Sequence, residues 1–184
     1  RPPPDRESPP EQSAPTAIVL VGDRDIWKLA EPDSPAFNEG LIHENTRPDN
    51  DELWVPLLQN DPAALARLIT KGKILLEARL GAMRRQVSRS GFQVHFEGHR
   101  TLAINRNGDG DLGHHILSLG YEIAYCYMDG YQNDQLMTFV TLYADHVDVS
   151  VIARKFGGGG HRGAAGFSFL RSGTPFPPSA NVQI

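Results

Sequence analysis

The sequence predicts an α/β or α+β domain over residues 61–176. One long stretch repeats apolar residues at the three-and-four spacing of a helix. Several short stretches alternate with the period of a strand and are separated by turn residues. A run of four glycines then divides a helical pattern from a last strand pattern.

Taken in order, residues 1–16 hold six prolines and no apolar period, and read as a flexible arm. Ala17–Val21 is a short apolar run expected to form a buried strand, ending in Gly22-Asp23-Arg24-Asp25. Residues 31–50 are polar, carry prolines at 32, 35 and 48, and read mostly as loop. Asp51–Gln59 suits a short helix, with Pro56 against its second half. The long helix is expected from Asp61 to Arg89. Asp61 serves as its cap, Pro62 as its first residue, and Leu65, Leu68, Ile69, Gly72, Leu76, Leu80, Met83 and Val87 as its buried stripe.

Phe92–Phe96 and Thr101–Ile104 read as two strands about a turn at Gly98. Leu112–Leu119 reads as a helix closed by Gly120. Tyr121–Met128 and Gln135–Tyr143 read as strands joined by a hairpin loop over 129–134. Asp148 caps a helix through Phe156, and a last strand falls at Phe167–Leu170. The tail after Arg171 reads as irregular.

Composition narrows the function classes. The chain carries 18 basic and 22 acidic residues, a net charge of −4. Residues 1–61 hold 5 of the basic and 13 of the acidic ones. A basic nucleic-acid coat over the whole chain is therefore excluded, whereas a local anion site in the second part is not. No apolar run approaches the ~20 residues of a membrane helix. The single cysteine, Cys126, excludes an intrachain disulfide and a multi-cysteine zinc site, and its apolar neighbours suit a buried thiol. No charged-then-apolar leader is visible, so the cytoplasm is the expected location. The chain begins at Arg1, which reads as a piece or processed product of a longer protein.

The most informative segment is Gly157-Gly158-Gly159-Gly160-His161-Arg162. Successive glycine N–H groups can converge on one anion as a nest, and the imidazole and guanidinium that follow add donors. The preceding helix points its negative end at the glycines, so these groups must outweigh its dipole. A helix stop or a linker is the plainer reading of glycines alone. A stop needs only one of them, however, and a linker would not lead straight into Ala164-Ala165-Gly166-Phe167.

The string from Asp148 to Phe167 resembles the signature of the DHH-associated domain of the DHH phosphoesterase superfamily. Val21-Gly22-Asp23-Arg24-Asp25-Ile26-Trp27 is similar to a segment of its oligoribonuclease and cyclic-nucleotide phosphodiesterase branch. The resemblance spans roughly residues 17–176. It implies an α/β fold: a C-terminal mixed-sheet domain with flanking helices, preceded by a remnant strand and linker of an N-terminal lobe. Residues 17–60 would be the end of that lobe and the linker, 61–176 the substrate-binding domain, and 177–184 a tail.

It also implies that Gly157, Gly158, Gly159, Gly160, His161 and Arg162 bind the phosphate of a nucleotide or short single-stranded nucleic acid. Asp23 would be a last metal ligand of the other lobe. The cofactor would be manganese, bound in the full-length protein rather than by this chain alone. No catalytic residue is assigned to the chain itself.

Departures from the pattern bear on function. The D-H-x-D and D-H-H metal motifs are absent. Asp145-His146-Val147-Asp148 reads as a turn and helix cap. Many relatives carry Arg and Ser where Tyr143 and Ala144 stand. Tyr143 could stack on a base or belong to the core. His114 and His115 are adjacent and do not face one way on a helix. The basic positions of the long helix (Arg67, Lys71, Lys73, Arg79, Arg84, Arg85, Arg89) suit either a solvated surface or a nucleic-acid track.

Three functions stay open. The first is the substrate-binding part of a metal-dependent phosphodiesterase, inactive alone. The second is a stand-alone non-catalytic nucleotide or single-strand binding module. The third is a domain whose glycine loop serves packing.

Overall fold

A computed structural model of the chain describes residues 14–183. It consists of two compact units that divide between Arg79 and Leu80. The proline-rich arm lies almost wholly outside the described residues, and Thr16 already opens the first helix.

The first unit is helical. α1 spans Thr16–Asp25, α2 Ser34–Leu41 and α3 Asp51–Leu58, and α4, Pro62–Ser90, begins here. One expectation is corrected and one refined. Ala17–Val21 is the start of a helix, not a strand. Ala17, Leu20 and Asp23 are its buried positions, a three-residue step, while Ile18 and Val19 face solvent. Residues 31–50 are mostly loop but also hold α2, since Pro35 sits in the first turn of that helix, where a missing N–H costs nothing.

Pro56 is accommodated inside α3, which still buries Leu53 and Leu57. The Asp61 carboxylate caps α4, accepting from Ala63 N–H at 2.8 Å. α2 and α4 cross at glycine. A Cβ on Gly72 would lie 1.7 Å from the Ala36 carbonyl oxygen, and one on Gly40 would lie 2.2 Å from that of Leu68. Phe37, Leu41, Leu57 and Leu68 fill the core of this unit.

The second unit is a seven-stranded mixed sheet with helices on both faces, so the α/β expectation holds. Its strands are β1 Phe92–Phe96, β2 His99–Asn105, β3 Ile123–Gln132, β4 Gln135–Tyr143, β5 Gly159–His161, β6 Ala164–Leu170 and β7 Val182–Gln183. They lie in the order β5-β6-β4-β3-β2-β1-β7. Among the described residues only β2 and β3 pair in parallel, and α5, Gly110–Ser118, makes the crossover between them.

The hairpin loop expected at 129–134 is shorter than expected. β3 runs on to Gln132, and Asn133-Asp134 alone make the turn, both at positive φ. The tail is not wholly irregular, since β7 pairs with His95–Phe96 of β1.

α6, Val149–Lys155, packs Val149, Ile152 and Ala153 on one face of the sheet against Tyr125, Leu142 and Phe167. Leu112 and Ile116 of α5, with Met83 and Val87 of α4, cover Leu102, Ile104, Ala124 and Cys126 on the other. Among the described residues, no helix is long and apolar enough to cross a membrane.

Candidate functional site

The glycine run is divided between two jobs. Gly157, at φ +80°, ends α6: its N–H donates to Arg154 O, and that of Gly158 to Ala153 O. This is the paired closure of a helix by glycine, and it removes two of the four amides from any anion nest. The remaining glycines form β5, where Gly159, Gly160 and His161 pair with Gly166, Ala165 and Ala164. β5 is the outermost strand, so alternate N–H groups on it still point away from β6. The segment expected to cradle an anion is therefore an edge-strand hairpin with fewer open amides than four successive glycines suggest.

His161 and Arg162 stand at the tip of this hairpin. Both are exposed, and neither makes a side-chain hydrogen bond among the described residues. The tip is held from behind: Ala144 N–H donates to Gly163 O at 3.1 Å and Val149 N–H to Arg162 O at 3.0 Å. Those bonds fix the backbone and leave both side chains to solvent. The adverse end of α6 carries Arg154 and Lys155 in its last turn, which offsets the dipole facing the glycines. Asp148 caps α6 at its other end, accepting from Ser150 N–H at 3.1 Å and Ser150 Oγ at 2.6 Å. Those bonds, led by the Ser150 hydroxyl, hold its carboxyl below the usual value.

Register places His161, Ala164, Tyr143 and Ala124 in one row across the sheet, and directly opposed residues share a face. Toward β5 this face carries only Gly159, Gly166 and Ala164 beside His161, which makes a shallow open shelf. Tyr143 lies further in. Cβ atoms built on Gly113 and Gly108 would touch its ring at 2.5 and 3.0 Å, so α5 and the preceding turn cover it. Burial pushes its hydroxyl up to about 12. The ring thus packs with the core against Leu112, Ile116 and Cys126.

His115 on α5 is half-buried. Burial lowers its pKa, and the charges of Arg84 and His114 lower it further. Of the basic positions on α4, Arg67 and Lys71 pair with Glu44, Lys73 with Asp33 and Arg79 with Glu39. Arg84, Arg85 and Arg89 are exposed.

Asp23 lies in the first unit, buried near the end of a helix rather than after a strand. Its Oδ1 accepts from Ala30 N–H at 2.9 Å and its Oδ2 from Glu31 N–H at 3.3 Å. Burial pushes this carboxyl up, but the hydrogen bonds from Ala30, Ser34 and Glu31 outweigh it, and the net shift is downward. Each Asp23 oxygen thus already accepts one amide N–H. Among the described residues, no group of three or more His, Cys, Asp or Glu could hold a metal ion. Asp23 alone does not make a manganese centre.

Sequence reasoning missed a cavity of about 340 Å³ beyond the ends of β3 and β4. Its wall combines the segment after α5 with residues 145–147, and only the folded register brings these together.

No family model matches the chain. An uncharacterized protein of Acanthamoeba polyphaga mimivirus is 26% identical over 169 residues, which is 87% of this chain and 38% of the relative. The chain thus spans well under half of that relative's length. Among solved structures, the DHH domain of a member of the s1p family of ribosomal proteins is similar with a TM-score of 0.53 and 15% identity. That match covers 82% of this chain and 41% of the other. A pGpG-specific phosphodiesterase from Vibrio cholerae is similar with a TM-score of 0.49 and 16% identity, over 72% of this chain and 49% of the other. The fold is thus of the kind found in DHH-domain proteins.

Proposed function

We infer that the second unit binds nucleotide phosphate at the β5–β6 hairpin, as the substrate-binding part of a metal-dependent phosphodiesterase acting on short oligonucleotides or cyclic nucleotides. One observation carries this reading: adjacent imidazole and guanidinium groups without side-chain hydrogen bonds, on a backbone fixed from behind, at the tip of a glycine edge strand. Arg162 can grip two phosphate oxygens at once, His161 can donate a third bond, and the small residues of the shelf let the ligand come close. The likeness to a DHH-domain fold supports the assignment to phosphoester chemistry. Hydrolysis would draw on divalent metal held by polypeptide outside residues 14–183.

Titrating the chain with a dinucleotide and with a cyclic nucleotide tests this. His161→Ala and Arg162→Ala should each weaken binding by about 1.5–3 kcal/mol. Unchanged affinity in both variants would take the hairpin out of the site. The chain alone should not hydrolyse dinucleotides when manganese is added, and measurable turnover would overturn the assignment of the metals to other polypeptide.

A further inference from the structure

The cavity beyond β3 and β4 is lined in part by a loop whose two ends are bonded to the hairpin tip. Residues 145–148 connect Ala144 to Val149, and both of those residues donate backbone hydrogen bonds to the tip, at Gly163 O and Arg162 O. The loop that supplies Asp145 and His146 to the cavity is therefore stapled at both ends to the backbone beside the phosphate-gripping side chains. Leu117 and Val147 add apolar wall, and Tyr121 adds an aromatic ring that also packs on the α4–α5 core and carries the Arg100 guanidinium 4.8 Å from its centroid.

The cavity wall carries two carboxylates, whereas the tip carries none. Glu122 contributes a carboxylate that is already engaged: Oε2 accepts from Arg100 N–H at 2.8 Å, and Oε1 lies 3.2 Å from His99 Nδ1. These bonds, led by that from Arg100, lower its pKa. Asp145 contributes a second carboxylate, exposed and without a side-chain partner among the described residues. Glu122 is compensated by its partners and by the Arg100 guanidinium beside Gly120 and Tyr121, so the open carboxylate of Asp145 sets the local preference, disfavouring an anion and suiting a flat, neutral group rich in N–H donors. At about 340 Å³ the volume is in the range of small-molecule sites.

We propose that this cavity receives the base of the nucleotide whose phosphate lies on the hairpin, and that Asp145 selects guanine. The proposal rests on the phosphate reading above. Guanine presents N1–H and the 2-amino group side by side, and these match the two oxygens of one carboxylate. Adenine turns a lone pair toward the same carboxylate beside its single amino donor. Cytosine does likewise and offers less ring to the Tyr121 wall. His146 can donate to guanine O6 from one ring nitrogen.

Calorimetric titrations with 5′-GMP, 5′-AMP and inorganic phosphate test this, on the parent chain and on Asp145→Asn, His161→Ala and Arg162→Ala. GMP should bind at least about fivefold more tightly than AMP. Asp145→Asn should bring GMP down to the level of AMP while leaving AMP and phosphate unchanged. Asp145 is exposed and unpartnered, so this change does not threaten the fold. Equal binding of GMP and AMP by the parent, both weakened by Arg162→Ala, would overturn the guanine assignment and leave the phosphate site standing. A GMP preference that survives in Asp145→Asn would also overturn it. Binding indifferent to both His161→Ala and Arg162→Ala, or no binding of any of the three probes, would remove the phosphate site and this inference with it.

Discussion

Gly158 is the most confined of the four consecutive glycines. A Cβ there would lie 2.0 Å from the Gly166 carbonyl oxygen and 2.6 Å from Phe167 Cβ, so the hairpin backbone would have to move. Gly158→Ala should destabilise the second unit by roughly 2–4 kcal/mol, read as a lower denaturant midpoint at unchanged slope. Gly159 has nothing within 4 Å of its notional Cβ, so Gly159→Ala should leave that midpoint nearly unchanged. A loss of phosphate affinity in that variant would then report on close approach to the backbone alone. The four glycines look alike in the sequence. Their roles differ because Ala153, Ala165 and Gly166, which they meet, are placed by the fold. The same holds at Tyr143, where a covered ring and a base-stacking ring share one sequence context, and only the approach of Gly113 decides between them.

At the scale of elements, helices with independent local signals were legible. α4 had a cap, an N-terminal proline and one stripe, and it starts and stops within a residue or so of expectation. α1 lacked such signals, because five apolar residues in a row satisfy a buried strand as well as a helix. α2 was hidden because Pro35 is a loop signal at most positions and a helix-start signal at one. The close crossing of α2 and α4 was invisible, although it is what Gly40 and Gly72 are for. Gly72→Ala should cost about 3 kcal/mol or more and raise amide exchange across α2 first.

The caps also carry a pH dependence. Asp148 has an ordinary value of 3.8 and Glu122 one of 4.5, and both are lowered in the folded protein. The unfolded chain therefore takes up their protons first as pH falls. Their contribution to stability is complete above the unfolded values and is lost on descent through the folded ones. Unfolding midpoints followed down from pH 6 should fall in that acid range, and Asp148→Asn should flatten part of the fall.

At the scale of the whole molecule, the net charge of −4 hides a division that matters for ligands. Arg67, Lys71, Lys73 and Arg79 of the first unit pair with carboxylates, as do Lys155 and Arg171 of the second, whereas His161 and Arg162 are exposed and make no side-chain hydrogen bond among the described residues. The sheet order was out of reach of local reading. It depends on one parallel pairing and on two short strands, β5 and β7, that no period could announce. Those two strands lie at the margins of the sheet, three and two residues long. Brief margins give a foreign strand little to zip onto, so this sheet is guarded against growing into chains of itself. A ligand that stiffens the β5 margin would add to that guard, and losing the last strand would strip it from the opposite side.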